Sequence, residues 1–255
     1  MELTAQVHQN NNDLLFKSFY KEVWRKMIPK GLTEAETDFI VEIAHLETGA
    51  AVLDIMCGYG RHSIALAKRG FKLNAVDNLT DYINEIKDIA EEQKLSINSW
   101  VADVSATSFN GLFDAIICMG NCFSTFDKPR AKTLLYNLHK CLKPGGSFII
   151  NSWMIAEIAI KHFEEKTWLY VDEFKYLLDN KYLLNPTRIE TDHILIREDE
   201  ALQTLKAIDY VLSFSELENL LEEAGFEMGE VYATPRKKRF QLGDKNAYIV
   251  ATKKF

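Results

Sequence analysis

Cysteine is scarce in this chain: Cys57, Cys118, Cys122 and Cys141 are the four among 255 residues. They form no CxxC pair and no zinc-like spacing with histidine, so a disulfide scaffold and a metal site are not expected. Reduced thiols in a cytoplasmic protein are the simplest reading. No apolar run approaches the roughly 18 residues that a membrane helix needs. The polar start MELTAQVHQNNNDLLF has no basic segment leading into an apolar one, so no signal peptide is expected. Positive charge is also short, with 30 Lys and Arg against 37 Asp and Glu, a net charge of −7. That disfavours broad, non-specific affinity for a phosphate backbone. Hydrophobic residues at 47% and charged residues at 26% are ordinary for a globular domain and argue against disorder.

Residues 1–12 read as a loose terminus. A helix is expected over Leu14–Met27, carrying Phe16, Phe19, Tyr20 and Trp24. A second helix opens at Thr33-Glu34-Ala35-Glu36, a capping-box pattern, with Phe39, Ile40, Ile43 and Ala44 as its apolar stripe. From residue 50 the pattern alternates. Strand-length apolar runs fall at Ala51–Ile55, Lys72–Val76, Ser99–Ala102, Phe113–Met119 and Ser147–Asn151. Helical segments at 61–69, 80–93 and about 129–142 lie between them, the last stopped by Pro144-Gly145-Gly146. Strands alternating with helices imply right-handed crossovers and a parallel, doubly wound α/β sheet. Residues 153–165 read as a helix. Residues 167–212 then turn β-prone, with Ile189, Thr191, His193 and Leu195 on alternate positions, as in a small antiparallel insertion. Ser215 and Glu218 suggest a further capping box, and Glu230–Thr234 with Ala247–Thr252 read as a closing hairpin.

The sharpest local signal is Leu53-Asp54-Ile55-Met56-Cys57-Gly58-Tyr59-Gly60-Arg61-His62-Ser63, where the first strand meets the first crossover helix. In such sheets ligands bind at the carboxyl ends of strands. Gly58 and Gly60 allow a sharp turn and close approach to a ligand, and the helix start offers free amide hydrogens. Asp54 ends the first strand, Asp77 the second, and Asp103 follows the third. All three fall on one sheet edge. A carboxylate at the end of the second strand can accept both hydroxyls of a ribose.

With these motifs the chain resembles the class I S-adenosylmethionine-dependent methyltransferases, over about residues 35–153 and 212–255. The carrying segments are LDIMCGYGRHS, NAVDN, VADVSA, FDAIICMGNCFSTF and LKPGGSFIINSW. The resemblance implies a seven-stranded, mostly parallel Rossmann-like sheet with the antiparallel β insertion and N-terminal helices added. It divides the chain into an N-terminal helical segment or lid at 1–46, a cofactor-binding core at 47–153 and 212–255, and a substrate cover at 154–211. It also implies S-adenosylmethionine as cofactor and S-adenosylhomocysteine as product. Met56 stands where the family pattern has its first glycine.

By the same resemblance, Cys57, Gly58 and Gly60 belong to the turn under the methionine part, and Asp54 meets its amino group. Asp77 takes the ribose hydroxyls, with Asn78 and Leu79 beside ribose and adenine. Asp103 and the Val104 amide take the adenine edge, and Met119, Gly120 and Asn121 line the methionine side. A nicotinamide oxidoreductase shares the strand, turn and acid. Its fingerprint requires a small apolar residue where Ser63 stands, and it does not explain Asp54 or Asp103.

The acceptor is expected to be a small molecule methylated on oxygen or nitrogen, with no nucleic acid, no membrane, and a monomer or homodimer both open. RNA or protein methylation and a binding-only role are the alternatives. No catalytic base is read from the sequence. Substrate-side candidates are His62, Asn151 and Trp153, with Tyr20 and Trp24 as a possible lid, and each has a plain packing role as its alternative. Trp168, Tyr170, Tyr176 and Tyr182 offer walls for a pocket, while His139, His162 and His193 read as structural or surface residues. Arg236-Lys237-Lys238-Arg239 forms a basic loop that either reaches an anionic partner or is simply solvated.

Overall fold

The structure, a computed structural model, describes residues 12–172, 174–197 and 202–254. The aromatic N-terminal segment forms α1 (Asp13–Phe16) and α2 (Tyr20–Met27), not the single helix expected over Leu14–Met27. The break lets Leu15, Phe19 and Val23 sink into one apolar cluster with Val171, Phe174 and Tyr176. The expected loose terminus lies outside the described residues except for Asn12. That residue is buried, and its side chain exchanges two hydrogen bonds with the Ile208 backbone.

Helix α3 (Leu32–Ile43) starts at Gly31, whose φ of +81° suits glycine. The Thr33–Glu36 capping box does not form, because the Glu36 side chain is buried elsewhere. The alternating core follows as β1 (Ala51–Ile55), α4 (Arg61–Lys68), β2 (Lys72–Asp77), α5 (Thr80–Glu92), β3 (Ile97–Val101) and β4 (Phe113–Cys118). A 3₁₀ turn at Cys122–Thr125 leads into α6 (Lys128–Cys141), capped by Asp127, and then β5 (Leu142–Ser152). Pro144-Gly145-Gly146 falls inside β5 as a bulge: Phe113 pairs with Leu142, but Ala115 pairs with Ser147.

Only Ala156–Ala159 (α7) is helical in the stretch 153–165. Ile155 is taken by a bridge to Leu212, which ties both ends of the insertion to the core. The insertion is a four-stranded antiparallel sheet of β6 (Lys166–Val171), β7 (Phe174–Leu184), β8 (Thr187–Ile196) and β9 (Gln203–Tyr210), in that order. Helix α8 (Phe214–Glu223) is capped by Ser213 and Glu216, not Ser215 and Glu218. Both pairs have the same spacing. The earlier one forms because the Phe214 amide is held by Glu157. Strands β10 (Phe226–Tyr232) and β11 (Ala247–Lys253) form the expected hairpin.

The main sheet runs β10-β11-β5-β4-β1-β2-β3, with only β11 antiparallel to its neighbours. It is buried on both faces, so its central strands read as nearly continuous apolar runs. Val52 packs with Phe39 and Leu66 on one side, while Leu53 and Ile55 pack with Leu134 and Leu217 on the other. The order of strand addition reverses between the parallel neighbours β1 and β4. That places a crevice at their carboxyl ends. No helix among the described residues is long and apolar enough to cross a membrane.

Candidate functional site

The turn after β1 is built from positive-φ positions: Met56 at +52°, Gly58 at +56° and Gly60 at +78°. A Cβ on Gly60 would lie 2.6 Å from Ile86 Cγ1, so α5 packs directly on the turn. Met56 holds the left-handed conformation that the family's glycine would adopt freely. The turn is anchored to the second strand. Asp77 Oδ2 accepts from the Gly58 amide at 2.9 Å and Oδ1 from the Leu79 amide at 3.0 Å.

Asp54 is nearly sealed and accepts a 2.6 Å hydrogen bond from Ser63 Oγ. Burial pushes its carboxyl up to about 7, against the hydrogen bond from Ser63 and the charge of Arg61. Burial likewise raises Asp77 to about 6, against the Gly58 and Leu79 amides. These carboxylates stand at the tips of neighbouring strands with little solvent, which suits a cationic or hydroxyl-bearing ligand.

Beneath the turn lies a polar group that links distant segments. Glu36 Oε2 accepts from Arg61 at 2.5 Å and contacts His62 Nε2 at 2.9 Å, and Oε1 accepts from Tyr248 Oη at 2.8 Å. Burial opposes the Glu36 charge, but His62 and Arg61 outweigh it and hold the group down to about 2. Burial, with Arg61 nearby, lowers His62 below its usual range. His62 is therefore a neutral donor to Glu36. Its role is to brace α4, although one edge reaches the cavity.

The cavity has a volume of about 560 Å³. Among the residues singled out from the sequence, Asp54, Cys57, Gly58, Asp77, Asn78 and Leu79 line one part of it. Met119, Gly120 and Asn121 line another, and Tyr20, Trp24 and Trp153 form an aromatic wall. Tyr20 stacks on Trp24 at 6.1 Å, and Trp24 meets Trp153 at 5.8 Å. Asp103 and Val104 lie in a small adjoining depression, with Met56 and Asn78 bordering both spaces. There Asp103 is held by Ser105 at 2.7 Å and Arg130 at 3.5 Å.

Two of the residues singled out from the sequence border neither space. Gly60 closes the turn and is packed against Ile86 of α5. Asn151 accepts from the Gly120 amide at 3.2 Å and donates to Asn246 at 2.8 Å, so it fixes the loop from below.

The insertion supplies the opposite wall. Tyr176, Leu178 and Asn180 of β7, Thr191 and His193 of β8, and Asp209 of β9 all line the cavity. The alternation along β8 already marked one face of this sheet. Strand β7 went unrecognised because Leu sits on both of its faces and blurs the alternation. His193 is a lining residue, not a surface one, and its ring is held by the Tyr176 hydroxyl. Asp209 also went unnoticed, since a single acid in a β-prone run carries no motif. Of the other aromatics, Trp168 and Tyr170 are exposed, and Tyr182 packs on Phe163 in a separate cluster.

The basic loop is largely neutralised. Lys237 pairs with Glu42, Lys238 with Asp244, and Arg239 with Glu230. All four cysteines are free thiols, and no cluster of metal-ligating side chains occurs among the described residues.

Residues 52–146 match a family described as a methyltransferase domain. A glycine/sarcosine N-methyltransferase of Parasynechococcus marenigrum is 28% identical over 136 residues, covering 52% of this chain and 48% of that protein. A ubiquinone biosynthesis O-methyltransferase of Coxiella burnetii is 34% identical over 105 residues, covering 41% and 44%. The chain thus spans about half the length of the curated relatives it matches.

An S-adenosylmethionine-dependent methyltransferase from Clostridium acetobutylicum superposes with a TM-score of 0.78 at 18% identity, covering 95% of this chain and 99% of that one. The CcbJ methyltransferase from Streptomyces caelestis gives 0.79 at 16% identity, covering 90% and 92%. Residues 52–146 thus resemble a methyltransferase domain, and the chain shares its overall fold with these solved S-adenosylmethionine-dependent methyltransferases.

Proposed function

We propose that the protein transfers a methyl group from S-adenosylmethionine to an oxygen or nitrogen of a small molecule. The observation that carries this reading is the pair Asp54 and Asp77, desolvated at adjacent strand tips and opening on one cavity with the glycine turn. The donor set fits the cofactor. Asp77 suits the ribose hydroxyls, Asp54 the amino group, and Asp103 with the Val104 amide the adenine edge. Gly58 and Gly60 give the turn, Asn78 and Leu79 flank the nucleoside, and Cys57, Met119, Gly120 and Asn121 form the methionine side.

Four aspartates and one glutamate line the cavity against Arg61 and Lys245, a balance that suits a cationic ligand. When bound, the cofactor supplies a methyl group activated on a sulfonium. The protein's part is to align the acceptor for in-line attack and to exclude water from the developing charge.

The small-molecule reading is supported by the cover that the insertion makes over the cavity and by the pairing of the basic loop. In this reading residues 47–153 and 212–255 are the cofactor core. Residues 154–211 are the substrate cover, and the segment 1–46 contributes Tyr20 and Trp24 to closure. The free thiols fit a reducing, cytoplasmic setting.

The test is formation of S-adenosylhomocysteine by chromatography, with small-molecule extract, bulk RNA and bulk protein as separate acceptor pools. Turnover confined to the small-molecule pool supports the proposal. Turnover confined to RNA or protein overturns the acceptor class.

A further inference from the structure

Asp209 is the one carboxylate that the insertion's strands contribute to the cavity, and the proposed cofactor set does not use it. It sits on β9 facing the segment Gly120-Asn121. Its Oδ1 accepts from Ser124 Oγ at 2.6 Å and from Asn121 Nδ2 at 3.3 Å. Asn121 Oδ1 in turn accepts the Trp153 amide at 3.1 Å. Asp209 and the aromatic wall therefore flank the same residue.

No cation pairs with Asp209 among the described residues, and its Oδ2 makes no hydrogen bond. Asp209 is half-buried and opens on the cavity, and a largely desolvated carboxylate with neither a positive partner nor a full set of donors is costly to keep unless a ligand completes it. The nearby groups do not supply the charge. Arg61 is committed to Glu36, and burial holds His193 neutral, down to about 4. The Tyr20, Trp24 and Trp153 rings add faces that attract a cation over a neutral group.

We infer that the acceptor is an amine, bound as its ammonium ion between Asp209 and the aromatic wall, and that Asp209 accepts the proton that frees the nitrogen for methylation. This rests on the methyltransferase reading above. The balance is as follows. The ammonium N–H proton passes to Asp209 Oδ2, which leaves a lone pair on nitrogen. That pair forms the N–CH3 bond as the S–CH3 bond breaks, with the bonding electrons kept by sulfur. Asp209 then returns its proton to solvent, so each turnover releases one proton. Tyr20 is unsuited to the task, since burial and the Asp209 charge keep its hydroxyl protonated.

The test uses the protein saturated with S-adenosylhomocysteine at mildly alkaline pH, where the carboxylate is ionised and the probe amines are charged. Calorimetric titrations compare cyclohexylamine with cyclohexanol, and benzylamine with benzyl alcohol. The expected result is that the amine of at least one pair binds about tenfold or more tightly than its alcohol. Asp209→Asn should bring that pair to parity. No preference for amine in either pair, or a preference that persists in Asp209→Asn, overturns the inference. Should Asp209→Asn fail to fold, the wild-type comparison decides it alone. Failure of S-adenosylhomocysteine itself to bind would overturn the methyltransferase reading instead, and is seen before any amine is added.

Discussion

Tyr248, on the last strand, donates its phenolic hydrogen to Glu36 of α3 at 2.8 Å, across 212 residues of sequence. Through Arg61 and His62, the same carboxylate holds the start of α4, and with it the glycine turn. Removing its charge leaves the largely enclosed Arg61 with a neutral hydrogen bond to Thr33 Oγ1 but without its ion-pair partner. Glu36→Gln is expected to lower stability by about 3 kcal/mol in urea denaturation. A loss under about 1 kcal/mol would show that the contacts are incidental.

The same residue sets an acid limit. Glu36 ionises near 2 when folded and at its ordinary value of 4.5 when unfolded, so the folded state binds fewer protons. Its stabilisation is complete above about 4.5 and is lost as pH falls toward 2. The lowered His62 acts in the same direction from its ordinary value of 6.5 downward, because unfolding lets it take up a proton. Below about pH 4, where Asp54 and Asp77 no longer offset these groups, denaturation curves should show stability dropping, and Glu36→Gln should flatten that drop.

Much of this was legible in the sequence, because the crevice is made by short-range rules. A strand, a glycine turn and a helix occupy consecutive residues, so Asp54, Gly58 and Gly60 could be placed without knowing what surrounds them. Asp77 follows from the next strand. What was not legible depends on distant partners. Glu36 fits a capping box by spacing, and only the burial of Tyr248 and His62 beside it shows why the box is not made. Ser215–Glu218 and Ser213–Glu216 are indistinguishable until Glu157 fixes where α8 begins. Asp209 gains meaning only when β9 is laid over Asn121.

Asp54 and Asp77 are expected to be costly to the ligand-free protein. Both have folded values above the ordinary 3.8 of an aspartate, so the folded state binds more protons and loses stability as pH rises from about 4 to 7. Asp54→Asn should therefore stabilise the free protein at neutral pH, by about 1–2 kcal/mol after discounting for relaxation, while weakening S-adenosylhomocysteine. Thermal denaturation with and without ligand reads both effects. A destabilised, tightly binding variant would contradict the assignment.

Gly60 has both positive φ and no room for a side chain. Gly60→Ala should cost about 2–4 kcal/mol by strain and overpacking together. Ile86→Ala removes the two atoms that clash, so the double variant should lose less than the sum of the singles. Strict additivity in a double-mutant cycle would mean that the turn does not rest on α5.

The central claim is that the strand-tip carboxylates grip an adenosyl amino acid. Calorimetry with S-adenosylhomocysteine and with NAD, on the wild type and Asp77→Ala, tests it most directly. The account predicts stoichiometric S-adenosylhomocysteine binding, no comparable NAD binding, and at least about a tenfold loss in Asp77→Ala, as expected for removing a charged hydrogen-bonding group. Preference for NAD, no binding of either compound, or unchanged affinity in Asp77→Ala would contradict it.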